Sequence, residues 1–554
     1  MSMEQGATAT TLQWSQQYNP LGSPLLSTLV ALVPVLLLLG LLSSHRVRAH
    51  WAAVIGLCAS LAVAVFAVGM PASMAARAAL FGAAYGLFPI GWILLNVLFL
   101  YQLTVDRGLF VVLQESIAHL TTDRRLQLVL IAFSFGAFFE GAAGFGTPVA
   151  VTAALLIGLG FPALDASVYS LIANTAPVAF GALGTPLIAL QGVTGLDLRD
   201  LSAMVGRQLP LFSMIIPFWV VAAYAGFRRT LEVWPALAVA GIAFAVPQYL
   251  VATYHGPWLV DVTASVCSMG ALALFLRVWS PRNVESVVGS SAGASRDAVV
   301  ARSTAVLPDR AAVLRAWLPW AVLSVVVFAW GTPQVKSWLN TISAPQIKIL
   351  GLHELVLRLP PVVASAKPEA AVFSFNWLSA SGSGIAVAAI ISGLLMGCSP
   401  RTMARTYAHN ARRLVPSLLT ISAMMALGYV TRYSGTDTIL GLAFARTGTM
   451  YPFFGALLGW LGVALTGSDT SSNVLFGGLQ VVTATTLGVN PILMAAANSS
   501  GGVMGKMIDA QSIVVAGAAT NVRGQEGTIL RRVFWHSIAL ASLVGLFVMI
   551  QAHI

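Results

Sequence analysis

Hydrophobic residues run along this chain in long blocks that are nearly unbroken. The hydrocarbon core of a bilayer is about 30 Å thick, so a helix needs roughly 20 apolar residues to cross it. Blocks of that length predict ordinary transmembrane helices near residues 24–42, 51–69, 79–101, 165–191, 208–227, 234–252, 259–277, 314–332, 373–397, 414–432, 490–516 and 533–552. The pattern therefore predicts an all-α polytopic membrane protein with about twelve spans.

Two other apolar stretches, residues 127–159 and 450–487, do not fit a simple span. As helices they would be roughly 50–57 Å long, which is too long for one upright crossing and tight for two. Polar and glycine residues interrupt each stretch in its middle. Irregular backbone at membrane depth is tolerated only where it is buried in protein or lines a wet cavity. We therefore predict that each stretch is a re-entrant hairpin.

The distribution of basic residues supports this arrangement. If the N-terminus is outside and each hairpin returns to its own side, the inner loops hold about 20 of the 30 Lys and Arg residues and the outer loops about 9. Such an excess is what the positive-inside rule expects. A single crossing by either stretch would largely remove the asymmetry. We therefore predict both termini outside, the first hairpin entering from the inside and the second from the outside.

The chain is predicted to consist of two membrane halves, residues 1–279 and 313–554, each with one hairpin. Residues 280–312 are polar and rich in Ser, Ala and Arg, without an apolar period, and are predicted to form a flexible cytoplasmic linker.

The two halves also resemble each other. Asn174-Thr175 is followed by Gly181, and Asn498-Ser499 is followed by Gly505 at the same offset. Each pair comes just after one interrupted stretch. Together with the opposite sides from which the hairpins enter, this predicts inverted repeats with broken helices that meet at the midplane, as is typical of secondary transporters.

Composition and charge narrow the class of protein. Hydrophobic residues make up 57% of the chain and charged residues only 9%, whereas soluble domains carry roughly 25% charged residues. The net charge of +11 does not indicate a nucleic-acid-binding protein, because only four residues are lysines and the arginines lie in short loops. The three cysteines have no metal-ligand spacing. We therefore expect a lipid bilayer as partner, no nucleic acid, and no metal or cofactor.

The first interrupted stretch contains Glu140-Gly141-Ala142-Ala143-Gly144-Phe145-Gly146-Thr147-Pro148. The glycines permit sharp backbone turns. Thr147 is a good helix N-cap, and Pro148 suits the first helical position. A half-helix would start there, and its free N–H groups and positive dipole end suit an anion. Asn174-Thr175-Ala176-Pro177 repeats this arrangement, with a polar cap before a proline.

The second interrupted stretch places six consecutive polar side chains, Ser468 to Asn473, inside an apolar run. Such a cluster is costly in the membrane unless it binds something. Its expected partner is the segment that contains Asn498, Ser499 and Lys506. The predicted substrate-binding residues are Gly144, Phe145, Gly146, Thr147, Asn174, Thr175, Ser468, Thr470, Ser471, Ser472, Asn473, Asn498, Ser499 and Lys506.

The ionisable residues predicted inside the membrane are Glu140, Asp469, Lys506 and Asp509. A charge at a helix centre costs about 2.5–3.5 kcal/mol on insertion scales. Glu140 and Asp469 each lie in a predicted break, so we expect them to carry a coupling proton that offsets the charge of a transported anion. Lys506 could neutralise the anion or pair with Asp469 or Glu140. Asp509 could be functional or could reach the cytoplasmic edge.

Several motifs resemble those of the lactate permease family, which includes bacterial L-lactate and glycolate permeases. They are the segment from Glu140 to Gly146, Asn174-Thr175-Ala176-Pro177-Val178-Ala179-Phe180-Gly181, Gly206-Arg207-Gln208-Leu209-Pro210, Pro360-Pro361-Val362-Val363, Leu465-Thr466-Gly467-Ser468-Asp469-Thr470-Ser471-Ser472-Asn473 and Gly501-Gly502-Val503-Met504-Gly505-Lys506-Met507-Ile508. These motifs occur in order over nearly the whole chain. The resemblance implies uptake of L-lactate, with D-lactate and glycolate as further substrates, by proton symport across the bacterial inner membrane.

The chain departs from the family pattern at two positions. Asp509-Ala510 stands where serine and proline often follow the Lys-Met-Ile segment, which weakens an essential role for Asp509. Thr147 stands where alanine is also usual, so the hydroxyl of Thr147 is expected to be dispensable while the helix start at Pro148 is not.

Three other functions compete with proton symport. A membrane enzyme would need a metal site or a nucleophile and base, yet nearly all histidines lie at span ends or in loops. A channel would favour a continuous polar stripe along several helices over two local interruptions. Sodium-coupled transport of a small carboxylate remains open, because a hydroxyl-rich break with Asp469 also suits Na⁺.

Overall fold

The computed structural model describes residues 13–43, 47–118, 120–142, 144, 147–281, 283–284, 309–363, 365–522 and 525–554. Most of the predicted linker 280–312 lies outside these ranges. So do Phe145 and Gly146, and of Thr147 only the backbone is described.

The first half of the described chain is helical almost throughout, with short π-helical turns at Val63–Ala67, Gly86–Gly91 and Val129–Phe135 and a 3₁₀ turn at Val178–Phe180. Its helices are α1 (Pro24–Ser43), α2 (Ala49–Ala62), α3 (Ala72–Tyr85), α4 (Trp92–Asp106), α5 (Leu109–Ala118), α6 (Arg124–Leu128), α7 (Gly136–Ala142), α8 (Thr147–Gly158), α9 (Ala163–Ala173), α10 (Gly181–Thr194), α11 (Leu198–Gln208), α12 (Pro210–Ala225), α13 (Phe227–Glu232), α14 (Trp234–Tyr254) and α15 (Val260–Phe275).

The second half repeats this character, with a 3₁₀ turn at Ala445–Met450. Its helices are α16 (Arg310–Gly331), α17 (Pro333–Ile342), α18 (Ser381–Leu395), α19 (Pro400–Ser434), α20 (Thr436–Phe444), α21 (Tyr451–Thr466), α22 (Asp469–Leu487), α23 (Pro491–Gly505), α24 (Ala510–Ala519) and α25 (Glu526–Gln551). Five short strands lie at one end of the molecule: β1 (Trp14–Ser15), β2 (Gln346–Lys348), β3 (Val356–Arg358), β4 (Lys367–Pro368) and β5 (Val372–Ser374).

Among the described residues, nine helical segments are long and apolar enough to cross a membrane, or up to eleven if two bent pairs each count as one span. This confirms the all-α polytopic prediction. The predicted spans 259–277 and 373–397 correspond to the shorter apolar helices α15 and α18. The predicted span 490–516 is broken between α23 and α24. The lengths of the observed helices therefore do not by themselves give the twelve transmembrane spans that were predicted.

The first hairpin was predicted at residues 127–159 and spans residues 124–158 in the structure, where the chain turns back on itself near Gly144. At its base, Arg124 Nη2 donates a 2.9 Å hydrogen bond to the carbonyl of Gly160. Halfway along, a Cβ added to Gly136 would lie 3.1 Å from Thr152 Cγ2 on the returning arm. The chain therefore comes back to the side from which it started.

The second hairpin, residues 451–487, turns at Gly467, which has a positive φ of 72° and ends α21. Ser472 Oγ donates to the Gly459 carbonyl at 3.0 Å, and Gln480 Nε2 donates to the Gly455 carbonyl at 2.7 Å. These bonds connect the two arms in antiparallel order, so this stretch also returns to its own side.

Each half contains a broken helix, α9 with α10 in the first half and α23 with α24 in the second. Each hairpin packs against the broken helix of the other half. Helix α10 packs along α22, where a Cβ on Gly477 would meet Leu190 Cδ1 at 2.6 Å. In the same way, α24 packs along α8 and α9, and Ser167 Oγ lies 2.9 Å from Thr520 Oγ1. This reciprocal packing is the arrangement that inverted repeats produce.

Polar contacts tie the connecting segments together on two faces of the molecule. On one face, Arg125 pairs with Asp123 at 2.8 Å and Glu232 at 2.9 Å, and also donates to the Asn283 carbonyl. On the opposite face, β1 pairs with β3, and Gln16 donates to the carbonyls of Arg432 and Tyr433.

Candidate functional site

The tips of the two hairpins and the breaks of the two broken helices meet around one cavity. The cavity has a volume of about 70 Å³. Because one ordered water needs at least roughly 10–15 Å³ on this measure, the space holds several waters or one small molecule. Its lining residues are Glu140, Gly144, Val178, Gly181, Ala182, Thr185, Pro186, Gly467, Ser468, Asp469, Thr470, Lys506 and Gln511. The two polar interruptions, far apart in the sequence, are thus neighbours in the fold.

The start of α10 forms one wall of the cavity and has an unusual backbone. Ala182, Leu183 and Gly184 have positive φ values of 44°, 55° and 80°. Left-handed backbone is costly for residues that carry a Cβ and is found mainly where the surrounding structure enforces it, often at functional sites. Regular helix resumes at Thr185 and Pro186, both of which line the cavity. The first turn of a helix has N–H groups without intrahelical partners, which suits an anion.

The start of α22 forms the facing wall. Ser468 is its N-cap and accepts a hydrogen bond from the Ser471 N–H at 3.3 Å. Asp469 and Thr470 follow in the first turn. Ser468, Asp469 and Thr470 line the cavity, whereas Ser471 does not. The positive end of the helix dipole therefore faces the space in which an anion could lie.

The Asp469 carboxylate is buried and held by two neighbouring side chains. Its Oδ2 accepts hydrogen bonds from Ser499 Oγ at 2.5 Å and from Asn473 Nδ2 at 3.3 Å. Its Oδ1 has no hydrogen-bond partner in the described part of the chain. A Cβ on Gly502 would clash with this Oδ1. One carboxylate oxygen is therefore fixed, and the other is free to bind a proton.

The Glu140 carboxylate lies against the other broken helix. Its Oε2 accepts a hydrogen bond from Asn174 Nδ2 at 3.1 Å. A Cβ on Gly181 would lie only 2.8 Å from Glu140 Oε1, so a glycine is needed at this point of the break. Asn174 and Gly181, which define the predicted repeat, thus hold the carboxylate of their own hairpin.

Lys506 lines the cavity but does not pair with Asp469 or Glu140, so that predicted pairing is wrong. Its Nζ donates to the Gly467 carbonyl at 2.6 Å and lies 3.3 Å from Asp509 Oδ2. Asp509 caps α24 by accepting from the Ser512 N–H at 2.7 Å, and it is fully buried. The alternative that Asp509 reaches the cytoplasmic edge is therefore also wrong, because the cap and the ion pair hold Asp509 inside.

The structure divides the predicted site residues into two groups. Those that line the cavity are Glu140, Gly144, Ser468, Asp469, Thr470 and Lys506. Those that lie outside the lining are Asn174, Thr175, Ser471, Ser472, Asn473, Asn498 and Ser499. Most of the second group form the hydrogen-bond network behind the cavity: Asn498 Nδ2 donates to Asn473 Oδ1 at 2.9 Å, and Gln480 Nε2 donates to Asn498 Oδ1 at 3.1 Å.

Seven lining residues were not predicted: Val178, Gly181, Ala182, Thr185, Pro186, Gly467 and Gln511. Most are small or apolar and lie in apolar runs, so no polar signal marks them. A Thr-Pro pair at 185–186, similar to the one at 147–148, was the available signal for a second half-helix start. Within the described ranges, no three His, Cys, Asp or Glu side chains cluster in a way that could hold a metal ion.

Comparisons with known proteins place the chain among permeases. A solved structure, the YdaH transporter of Alcanivorax borkumensis, aligns with a TM-score of 0.46 at 13% identity and covers 95% of this chain and 97% of that chain. The glycolate permease GlcA of Escherichia coli is 46% identical over 98% of both chains. The L-lactate permease of Bacillus subtilis is 43% identical over 98% of this chain and 99% of its own. The L-lactate permease family matches residues 27–554, and the chain therefore belongs to this family.

Proposed function

We propose that this permease is a secondary active transporter that takes up L-lactate, and also D-lactate and glycolate, by proton symport across a bacterial inner membrane. The names of the relatives support this substrate class, because they are a glycolate permease and L-lactate permeases of 40–46% identity. All of these substrates are small 2-hydroxy monocarboxylates.

The observation that carries the proposal is the cavity enclosed by the two hairpin tips and the two helix breaks. It offers a carboxylate the Lys506 ammonium group and the N-terminal turns of α10 and α22. The hydroxyl groups of Thr470 and Thr185 also line it and can bond to the 2-hydroxyl group of the substrate. The small cavity favours an anion of three or two carbon atoms over a larger one.

Charge balance supports a proton as the coupling ion. Lys506 is already paired with Asp509, whereas Glu140 and Asp469 have no Lys, Arg or His within ion-pair distance in the described structure. A bound anion would add a further negative charge to this buried site. An uncompensated buried charge is strongly unfavourable, so protonation of Glu140 or Asp469 would lower the cost of moving the loaded site.

The reciprocal packing of the halves supports alternating access. Both hairpin tips line the cavity, and each broken helix contacts the hairpin of the other half. Two similar halves of opposite orientation can form an outward-open and an inward-open state of similar energy. With the basic loops inside, both termini lie outside.

Uptake into proteoliposomes with imposed gradients tests the proposal. An inward proton gradient alone should drive saturable accumulation of labelled L-lactate, and a sodium gradient alone should not. Unlabelled glycolate should compete with labelled L-lactate for uptake, and pyruvate and succinate should compete less well. Uptake that requires sodium and ignores pH would instead establish sodium-coupled carboxylate transport, and non-saturable flux would indicate a channel.

A further inference from the structure

Asp261, which the proposed transport site does not include, is a buried acid that receives no hydrogen bond from the described residues. It lies in the first turn of α15 and is only 1% exposed. Neither of its carboxylate oxygens has a hydrogen-bond donor among the described residues. An ionised carboxylate in such a place would carry the full cost of desolvation, so this side chain must hold a proton for much of the time.

The position of Asp261 relates it to the first hairpin. A Cβ on Gly141 would lie 2.6 Å from the Asp261 Cβ, so the helix packs directly against the residue that follows Glu140. Glu140 precedes Gly141 in α7, so the two acids lie on helices that pack directly against each other. Helix α10 also packs against α15 and brings no titratable side chain to it. The turn Val129–Phe135 carries no titratable side chain, and α14 carries only tyrosines. Asp261 therefore packs against the hairpin segment that bears Glu140, with no basic side chain on the elements packed around α15.

We propose that Asp261 and Glu140 form a carboxyl pair that binds a coupling proton at the first hairpin, in addition to the proton-binding role expected of Asp469. The inference rests on the proposed proton symport and names where the proton is held. Two carboxylates buried on directly packed helices repel each other when both are ionised, so binding of one proton relieves the repulsion and the two groups titrate as a unit.

The two members of the pair have different surroundings. Glu140 receives a hydrogen bond from Asn174, which stabilises its ionised form, whereas Asp261 receives none. With one proton bound, the proton therefore resides on Asp261 and can be donated towards Glu140. Glu140 lines the substrate cavity and Asp261 does not. The pair thus links a proton held behind the hairpin tip to the charge of the anion in the cavity.

Transport by Asp261→Asn in proteoliposomes tests the pair. For an electroneutral one-to-one symport, a gradient of one pH unit should give wild-type protein about tenfold accumulation of lactate. The variant should show no accumulation but should keep lactate counterflow, in which labelled lactate exchanges at equal pH. Asp261→Glu should restore accumulation.

Asp437→Asn is the matched control, because Asp437 is a buried acid on α20 that accepts from the Thr438 N–H, away from the cavity. This control should accumulate lactate normally.

The outcomes separate the pair from symport itself. If wild-type protein shows no pH-driven accumulation, the proposed symport fails. If wild-type protein accumulates and Asp261→Asn does so equally well, symport stands and the pair is wrong. If inserted Asp261→Asn protein loses both counterflow and accumulation, Asp261 has only a structural role, and the proposed pair is also wrong.

A second measurement covers the case in which Asp261→Asn does not insert. Proton uptake can be measured when lactate is added to wild-type protein and to Glu140→Gln in weakly buffered detergent solution. Wild-type protein should take up protons as lactate binds, and Glu140→Gln should not. Wild-type proton uptake that persists in Glu140→Gln would overturn the pair.

Discussion

Ser499 Oγ donates a 2.5 Å hydrogen bond to Asp469 Oδ2 and thereby joins α23 to the first turn of α22. Asn473 Nδ2 supports the same oxygen from one turn further along α22. The other carboxylate oxygen, Oδ1, has no partner among the described residues. The carboxylate is therefore held in a fixed orientation while one oxygen remains available.

The first prediction concerns this carboxylate. Asp469→Asn keeps the size of the side chain but removes its ability to bind and release a proton. We expect the variant to insert normally and to lose pH-driven accumulation of lactate, as measured in vesicles. Glu115→Gln, which changes an exposed acid on α5, serves as control and should accumulate lactate like wild-type protein. Unchanged uptake by Asp469→Asn would remove Asp469 from the mechanism.

The second prediction concerns Lys506, whose ammonium group faces the cavity beside Gly467. A hydrogen bond to a charged group is worth about 1.5–3 kcal/mol, so Lys506→Ala should weaken lactate binding roughly 10- to 100-fold. Binding to purified protein by calorimetry measures this directly. Because Lys506 also pairs with Asp509, the yield of folded protein must be compared. A lower yield with normal affinity would show that Lys506 is only structural.

The third prediction uses the glycine that contacts Glu140. Gly181→Ala would place a methyl group 2.8 Å from Glu140 Oε1 and displace the carboxylate from Asn174. We expect severe loss of transport with the protein still inserted. Gly270→Ala on α15 is the matched control, because a Cβ there meets nothing within 4 Å. Equal transport by the two variants would contradict a role for the close contact at Gly181.

The fourth prediction concerns pH and stability at the strand-bearing end of the molecule. Burial raises the pKa of Glu369, but the charges of Arg432 and Arg358 outweigh burial and lower the pKa overall. Glu369 Oε2 lies 3.0 Å from Arg358 Nε, and Arg432 pairs with Oε1 at 2.6 Å. Because the pKa of Glu369 is lower in the folded protein, its ion pairs stabilise the fold fully above the unfolded pKa of about 4.3. This stabilisation is lost as the pH falls through the pKa of Glu369 in the folded protein.

Thermal unfolding in detergent checks this prediction. Wild-type protein should lose stability as the pH falls below about 4.3, and Glu369→Gln should lack this component of the pH dependence. At neutral pH the variant should be less stable than wild-type protein, because it leaves two half-buried guanidinium charges without their carboxylate partner. Parallel pH profiles for the two proteins would show that the pairs do not contribute.

Much of the architecture could be predicted from the sequence because lipid imposes simple rules. Long apolar blocks must be helices, because lipid leaves no partner for unpaired backbone groups, although their length alone does not give the number of crossings. The hairpins followed from stretches of the wrong length with polar centres, and from the sides on which arginines lie. Contacts such as Arg124 to Gly160 confirm that the first stretch returns.

The site could be predicted less completely, because a cavity is defined by backbone as much as by polar side chains. The left-handed turn at 182–184 has no marker in the sequence other than Gly184. Likewise, Asp509 was identified as ionisable, but only the structure shows that it neutralises Lys506. Hydroxyl and amide residues of one motif also point in different directions around a helix, so Thr470 lines the cavity while Ser472 bonds to the Gly459 carbonyl behind it.

The glycines between α21 and α23 have a consequence for how the transporter moves. A Cβ on Gly459, Gly501 or Gly505 would collide with the main chain of the neighbouring helix, so the two backbones are in direct contact. Because their backbones are in contact, α21 and α23 cannot slide past each other without first separating. We therefore expect the second hairpin and α23 to move as one rigid unit whenever the protein changes conformation.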